Sequence, residues 1–569
     1  HMKPIGKIIR ALFPSNNYGW IFLLFFLLLL PNFVVMFRSS DLAGDIMKQI
    51  AYLFFSCLIL FVPALLFKAK TYFTLSSIFL LFSPIEIGHV LLNKMPISIG
   101  LMSAILNTNN QEAFELIYSL KGYVILFLLI LILYYWILFT KIENKPILSG
   151  QGKILVFSLF TLFNIALWLM MWKMSDYTDG AIYRLRAANS NFSMKYKKVY
   201  PCDLIAATAE VIGMEREIGE MQEQLKDFSF EAEREDTIPG KEIYVLVIGE
   251  SSRYGNYALN GYNRPTTPLL NKQENLVSYS KVLTTSNLTN IAIQQILTRA
   301  TPDKPDIAYK EKALPEAFIE CGFNTAWLAS QSSSDRFVKR ITADMDYTFF
   351  STTDFDSADN YDGKLLPHLD SVLSLDKQRQ LIVIHTLGSH FRYNARYPES
   401  FCRFIPSLHE NTGYDVVSPS NKEVLVNSYD NSICYTDYVL NEIIRKVDDQ
   451  KAVSAVVYLS DHAENLYDDA RNLAVHGNTE PSIYELHIPL FIWTSTAYRT
   501  VRPEKAEAIE NHKEKKVSTS NLFHSFLDIA GIRYDGNNKE QSFASPEFRE
   551  DSVWYILTPD KRLIKKSDL

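Results

Sequence analysis

The stretch EIYVLVIG, residues 242–249, decides the fold. It is short, continuously apolar and rich in β-branched side chains, as a strand buried on both faces must be. Four runs of the same kind follow: TAWLAS (325–330), LIVIHTLG (381–388), VSAVVYLS (453–460) and IPLFIW (488–493), with helical patterns between them. Strands that alternate with helices indicate an α/β domain, here residues 241–569, with a mostly parallel sheet and helices on both faces. Before it, residues 174–240 are polar, carry the helical stretch DLIAATAEVIGMEREIGEMQEQL and an acidic run, and read as bridging helices and linker.

Residues 1–173 are different again. Five apolar segments, at 18–37, 50–67, 71–92, 122–140 and 154–173, reach the roughly 20 residues that a bilayer requires. An α-helical five-span transmembrane domain is therefore expected, and a cleaved signal peptide is not. Lys3, Lys7 and Arg10 precede the first segment, Lys68 and Lys70 join the second to the third, and Lys141, Lys145 and Lys153 join the fourth to the fifth. That bias predicts a cytoplasmic N-terminus and, after five spans, that everything after Trp172 faces outside, which in a bacterium is the periplasm or cell surface. The net charge of -6 gives no support to a nucleic-acid partner. Cys202, Cys321, Cys402 and Cys434 would then face a compartment that permits disulfides, with three pairings open.

Ligands of open α/β sheets bind beyond the carboxyl ends of the strands. Here those ends are followed by Glu250-Ser251-Ser252, by Ser389-His390 and by Asp461-His462-Ala463-Glu464, with His476 a little later. One such residue is ordinarily a cap or turn residue. Carboxylates and imidazoles from three strands at one edge suit a zinc site. The hydroxyl cluster TTSNLT, 284–289, sits just ahead of an apolar helical face. Its blandest readings are helix caps or a glycosylation acceptor at Asn287. A metal held by Glu250, Asp461 and His462 would instead make Thr289 a nucleophile at a helix N-terminus, where an arriving phosphate is favoured.

At these residues the chain resembles the phosphoethanolamine transferases of Gram-negative inner membranes, members of the alkaline phosphatase/sulfatase superfamily. The motifs that carry the resemblance are VLVIGESSRYGNYALNGYNRPTTP, TTSNLTNIAIQQILTRATP, HTLGSHFRYNARYPE, SYDNSICYTDYVL and VVYLSDHAEN. It implies that Thr289 carries phosphoethanolamine and shares one Zn2+ with Glu250, Asp461 and His462. His390 and His476 then bind the donor head group or a second zinc and act as catalytic acid or base. Gln331 and Ser332 match polar substrate contacts, and Arg336 stands near the place of a family lysine. Thr108 and Glu112 match a loop that holds the donor, although Ala104 replaces the family asparagine there.

The reaction so implied is transfer from phosphatidylethanolamine to lipopolysaccharide, at core heptose phosphate or lipid A, with diacylglycerol released. A monomer in contact with membrane lipid is expected, as is resistance to cationic antimicrobial peptides. The competing readings are a phosphoglycerol transferase of the lipoteichoic-acid type and a non-catalytic membrane-anchored binding protein.

Overall fold

The computed structural model describes residues 12–13, 17–39, 42, 44–93, 96–97, 102, 105, 121–175, 181–333, 335–352, 360–409, 419–478, 480–559 and 561–569. The chain forms two compact units, His1–Met214 and Glu215–Leu569.

The first unit is helical: α1 (Tyr18–Arg38), α2 (Ile46–Phe61), α3 (Ala69–Asn93), α4 (Lys121–Thr140), α5 (Gly150–Met174), α6 (Ala181–Tyr196) and α7 (Cys202–Leu225), the last running on into the second unit. Among the described residues five helices are long and apolar enough to cross a membrane, Tyr18–Arg38, Ile46–Leu65, Ala69–Leu91, Gly122–Thr140 and Gly150–Met174. The second starts earlier than its apolar run because Asp45 caps it, accepting from the Lys48 N–H at 3.0 Å. Phe25, Tyr72, Phe73 and Tyr134 pack between α1, α3 and α4. The Tyr134 hydroxyl donates to the Phe73 carbonyl at 2.8 Å, so that this buried polar group is satisfied.

The second unit is built on a seven-stranded sheet. Its strands are β1 (Glu242–Gly249), β2 (Leu276–Ser278), β3 (Asn324–Ser332), β4 (Tyr347–Thr352), β5 (Arg379–His385), β6 (Val453–Ser460) and β7 (Leu490–Thr494), in the order β2-β7-β6-β1-β5-β3-β4. Only β7 runs against the others. Every residue of β1 is buried, and alternate side chains feed two separate cores. Tyr244, Leu246 and Ile248 pack with Ile293 and Ile296 of α8 (Thr289–Leu297) and with Phe523 and Phe526. Ile243, Val245 and Val247 pack instead with Leu369, Ile433, Leu440 and Ile443. Each buried side chain of this size contributes about 1.5–3 kcal/mol, which explains why β1 has no polar alternation.

Two details depart from the sequence reading. The edge strand β4 was not anticipated. Cys57, Cys202, Cys321, Cys402 and Cys434 are all free thiols, so none of the three open pairings is formed.

Register positions the chemistry. Ile248 of β1 lies opposite His385 of β5, and Gly249 lies opposite Ser460 of β6. The next residues on β1 and β6 are Glu250 and Asp461, which therefore emerge side by side.

Candidate metal centre and active site

Glu250, Asp461 and His462 are completely buried. His462 Nε2 lies 3.3 Å from Glu250 Oε1 and 3.4 Å from Asp461 Oδ2. Thr289 Oγ is 3.2 Å from Glu250 Oε2 and 3.1 Å from His462 Nε2. Four ligands at about 2.0 Å in a tetrahedron are about 3.3 Å apart, so these separations fit a zinc-sized ion. A second observation agrees: Asp461 Oδ2 is buried and has no hydrogen-bond partner. The His462 Nδ1–H donates to the Ala463 carbonyl at 3.1 Å, which leaves the Nε2 lone pair for an ion.

Electrostatics point the same way. Burial works against ionisation of Glu250, but the imidazoles of His462, His390 and His476 hold it down at about 2. Asp461 moves the other way, pushed well up by burial and by the charge of Glu250. Burial, with His476 beside it, keeps His462 neutral by lowering it to about 3. Two buried acids and a neutral imidazole form a donor set that suits a divalent ion.

The backbone around the site is held tightly. Ser251 adopts φ +58°, an uncommon conformation for a side-chain-bearing residue. It thereby donates Oγ to Glu250 Oε1 at 2.7 Å and N–H to Asp461 Oδ1 at 3.1 Å. Gly388, at φ +48°, lies under Glu250, and a Cβ there would come within 2.6 Å of the Glu250 carbonyl oxygen. Gly388→Ala is therefore expected to cost about 1–3 kcal/mol of stability through overpacking and to weaken metal binding. Thermal melting and a metal titration of the variant check both effects.

The hydroxyl cluster divides by role. Thr284 Oγ donates to the Ser286 carbonyl at 2.8 Å, and Thr285 Oγ pairs with Thr519 Oγ at 2.6 Å. Asn287 is buried and donates to the Asn478 carbonyl at 2.9 Å, which leaves no room for a glycan. Thr289 alone of the three threonines faces the carboxylates. It is the first residue of α8, and no side chain caps that helix.

His476 Nδ1 contacts Glu464 Oε1 at 3.0 Å, and its ring centroid lies 3.9 Å from that of His462 and 6.1 Å from that of His390. Burial opposes a charge on His476, yet Glu464, with Glu250 and Asp461, lifts it to about 9. Its folded value exceeds the ordinary value of about 6.5, so the stability it contributes is complete below that pH and is lost as pH rises through about 9. Melting temperatures of the metal-free protein should fall across that window, and Glu464→Gln should flatten the fall.

Gln331 donates Nε2 to Glu250 Oε2 and to the Thr386 carbonyl, both at 3.0 Å. With Ser332, Thr289, Asp335 and His385 it lines a cavity of about 280 Å³. The Arg336 guanidinium pairs with Glu217. Thr108 and Glu112 lie outside the described residues. Sequence reading gave no role to Ser251, Glu464, Asp335 or His385. Glu464 was signalled by its place beside His462, whereas His385 was hidden inside an apolar run.

Comparison with known proteins is consistent with this geometry. The phosphoethanolamine transferase EptC of Escherichia coli (strain K12) is 31% identical over 331 residues, 56% of either chain, so the chain spans about half the length of that relative. The C-terminal periplasmic domain of EcEptC from Escherichia coli in complex with Zn superposes at TM-score 0.52 with 28% identity, covering 58% of this chain and 94% of that one. The integral membrane lipooligosaccharide phosphoethanolamine transferase A (EptA) from Neisseria meningitidis shares the fold across 92% of this chain and 97% of its own, at TM-score 0.50 and 20% identity. The Sulfatase family model matches residues 242–532, from the first residue of β1 to beyond the last strand of the sheet. The chain belongs to the Sulfatase family.

Proposed function

We propose that the protein is a phosphoethanolamine transferase of the bacterial inner membrane that takes its donor group from phosphatidylethanolamine and places it on lipopolysaccharide. The observation that carries this reading is the Thr289 hydroxyl, uncapped at the start of α8 and within 3.2 Å of both Glu250 and His462. Glu250, Asp461, His462 and Thr289 would hold one zinc. When bound, it supplies Lewis acidity that lowers the hydroxyl pKa and polarises a phosphoryl oxygen.

The rest follows from the residues themselves. Thr289 Oγ releases its proton to solvent and forms a bond to phosphorus, and the bond from phosphorus to the glycerol oxygen breaks. His476, whose Nδ1 contacts Glu464 Oε1 at 3.0 Å, delivers a proton to the departing diacylglycerol. The free N–H groups of α8 face the phosphate and stabilise its charge. In the second half, an acceptor oxygen displaces Thr289 from phosphorus, with His390 or His476 as base. Gln331 and Ser332 contact the transferred group, and Thr108 and Glu112 hold the donor.

Residues 1–173 serve as the membrane domain, 174–240 as the bridge and 241–569 as the periplasmic catalytic domain, with a cytoplasmic N-terminus and a monomeric state. Core heptose phosphate is the preferred acceptor over lipid A. The test supplies purified protein with ethanolamine-labelled phosphatidylethanolamine and lipopolysaccharide. Label in lipopolysaccharide that requires added zinc supports the reading. In a parallel reaction, label transferred only from glycerol-labelled phosphatidylglycerol would replace it with a phosphoglycerol transferase, and no transfer from either lipid with zinc bound would leave a binding protein.

A further inference from the structure

A second cavity, of about 340 Å³, lies at the opposite end of α8 from Thr289. The helix has nine residues, about 13 Å at the usual rise, and the turn at 301–303 that lines this cavity follows shortly after it. Ser518 and Ser520 line it as well. Between them, Thr519 holds the segment that leads to Thr289, through its 2.6 Å contact with Thr285 Oγ and by accepting the Thr285 N–H at 3.0 Å.

The lining mixes donors with acceptors, and no Lys or Arg is part of it. Gln541 Oε1 accepts from Asn521 Nδ2 at 2.8 Å, which settles the amide and leaves its NH2 group for a ligand. The Tyr534 hydroxyl accepts the Asn538 N–H and shares a short hydrogen bond with His524 Nδ1. Burial, with Arg299 nearby, lowers His524 to about 4, so the ring is neutral and its Nε2 carries the proton. The acceptors are Asp303, which takes the Thr301 hydroxyl at 2.7 Å, and Asp551 at the exposed rim. Trp554 and Tyr555, on the strand Trp554–Leu557, add aromatic surface. Two carboxylates without a lining cation exclude a phosphate. Nor does the cavity fit a metal ion, since among the described residues only Glu250, Asp461 and His462 bring three such ligands together. A neutral polyol fits both sets of groups. Each hydroxyl donates to a carboxylate and accepts from an amide or imidazole N–H, and the apolar face of the ring meets an aromatic one.

We propose that this cavity is a carbohydrate subsite, which holds an unphosphorylated sugar of the acceptor glycan while another part of the same glycan meets Thr289. The inference rests on the transfer reading above and adds how the acceptor is selected. A subsite one short helix away from the nucleophile grips the glycan without touching the transferred group, so it acts on the acceptor KM alone.

The test titrates the full chain, loaded with zinc, with core oligosaccharide freed of lipid A and of phosphate, and follows binding by calorimetry. The native protein should bind it, and inorganic phosphate should not displace it. Tyr555→Ala and Asp551→Asn alter exposed side chains, so the fold is retained. Each should weaken binding about tenfold, the scale of one lost stacking or charge-assisted contact. In transfer to lipopolysaccharide each should raise the acceptor KM by the same factor. Neither kcat nor the adduct formed from phosphatidylethanolamine alone should change. No binding to the native protein, or native binding by both variants, overturns the subsite, while an adduct from phosphatidylethanolamine leaves the transfer reading standing. Oligosaccharide bound with no adduct on the native protein overturns the transfer reading, and the acceptor role of the cavity with it.

Discussion

Thr289→Ala is expected to abolish transfer to lipopolysaccharide, with a loss on the order of a thousandfold or more, the scale for removing a nucleophile that works as one unit with its neighbours. The fold should survive. Thr289 is only half-buried at the first position of α8, and its hydroxyl caps nothing. Melting temperature should therefore change little while label in lipopolysaccharide disappears. Thr289→Ser keeps the oxygen and should retain part of the rate. If Thr289→Ala transferred at the native rate, the hydroxyl would be a bystander. Thr284 and Thr285 could not replace it, since both are committed to hydrogen bonds within the protein.

The second large effect has two signs. Asp461→Asn should end tight zinc binding and activity, because it removes an ionisable ligand whose Oδ2 has no other partner. The same substitution should stabilise the metal-free protein by about 1–3 kcal/mol, since a buried carboxyl beside another is replaced by a neutral amide of the same shape. The folded pKa of Asp461 lies well above its unfolded value. The cost of ionising it in the folded state therefore grows as pH rises past that unfolded value, and it is present at pH 7. Melting curves with and without zinc separate the two effects. Native protein should melt higher with zinc and lower after chelation, whereas Asp461→Asn should melt at one temperature in both. A zinc-dependent shift of native size in the variant would remove Asp461 from the ligand set.

Where the sequence was readable, the reason is physical. The strands β1, β5 and β6 are buried on both faces, so they stand out as continuous apolar runs, and in parallel register they must end together. This is why Glu250, Asp461 and His462 could be grouped before any geometry was known. The edge strand β4, YTFFST, lacks that contrast and was passed over. The five spans were legible because length and hydropathy alone define them. The start of α2 was not, because Met47 and Lys48 precede the apolar run and the cap is the side chain of Asp45.

The roles of side chains around the cavity depend on tertiary placement. The pairing of Arg336 with Glu217 of α7 joins residues 119 positions apart, which spacing in the sequence does not signal. His385 sits within LIVIHTLG and passes for one more buried strand residue until both of its nitrogens are found without partners. Ser251 gains its position from a backbone angle that no composition signals.

The most direct measurement is the intact mass of the full chain after zinc loading and incubation with phosphatidylethanolamine, with no acceptor present, beside Thr289→Ala treated in the same way. The account predicts a phosphoethanolamine adduct on the native protein and none on the variant, with diacylglycerol released in equal amount. An adduct of equal yield on Thr289→Ala, or diacylglycerol released with no adduct trapped at any time, would contradict a covalent intermediate on Thr289.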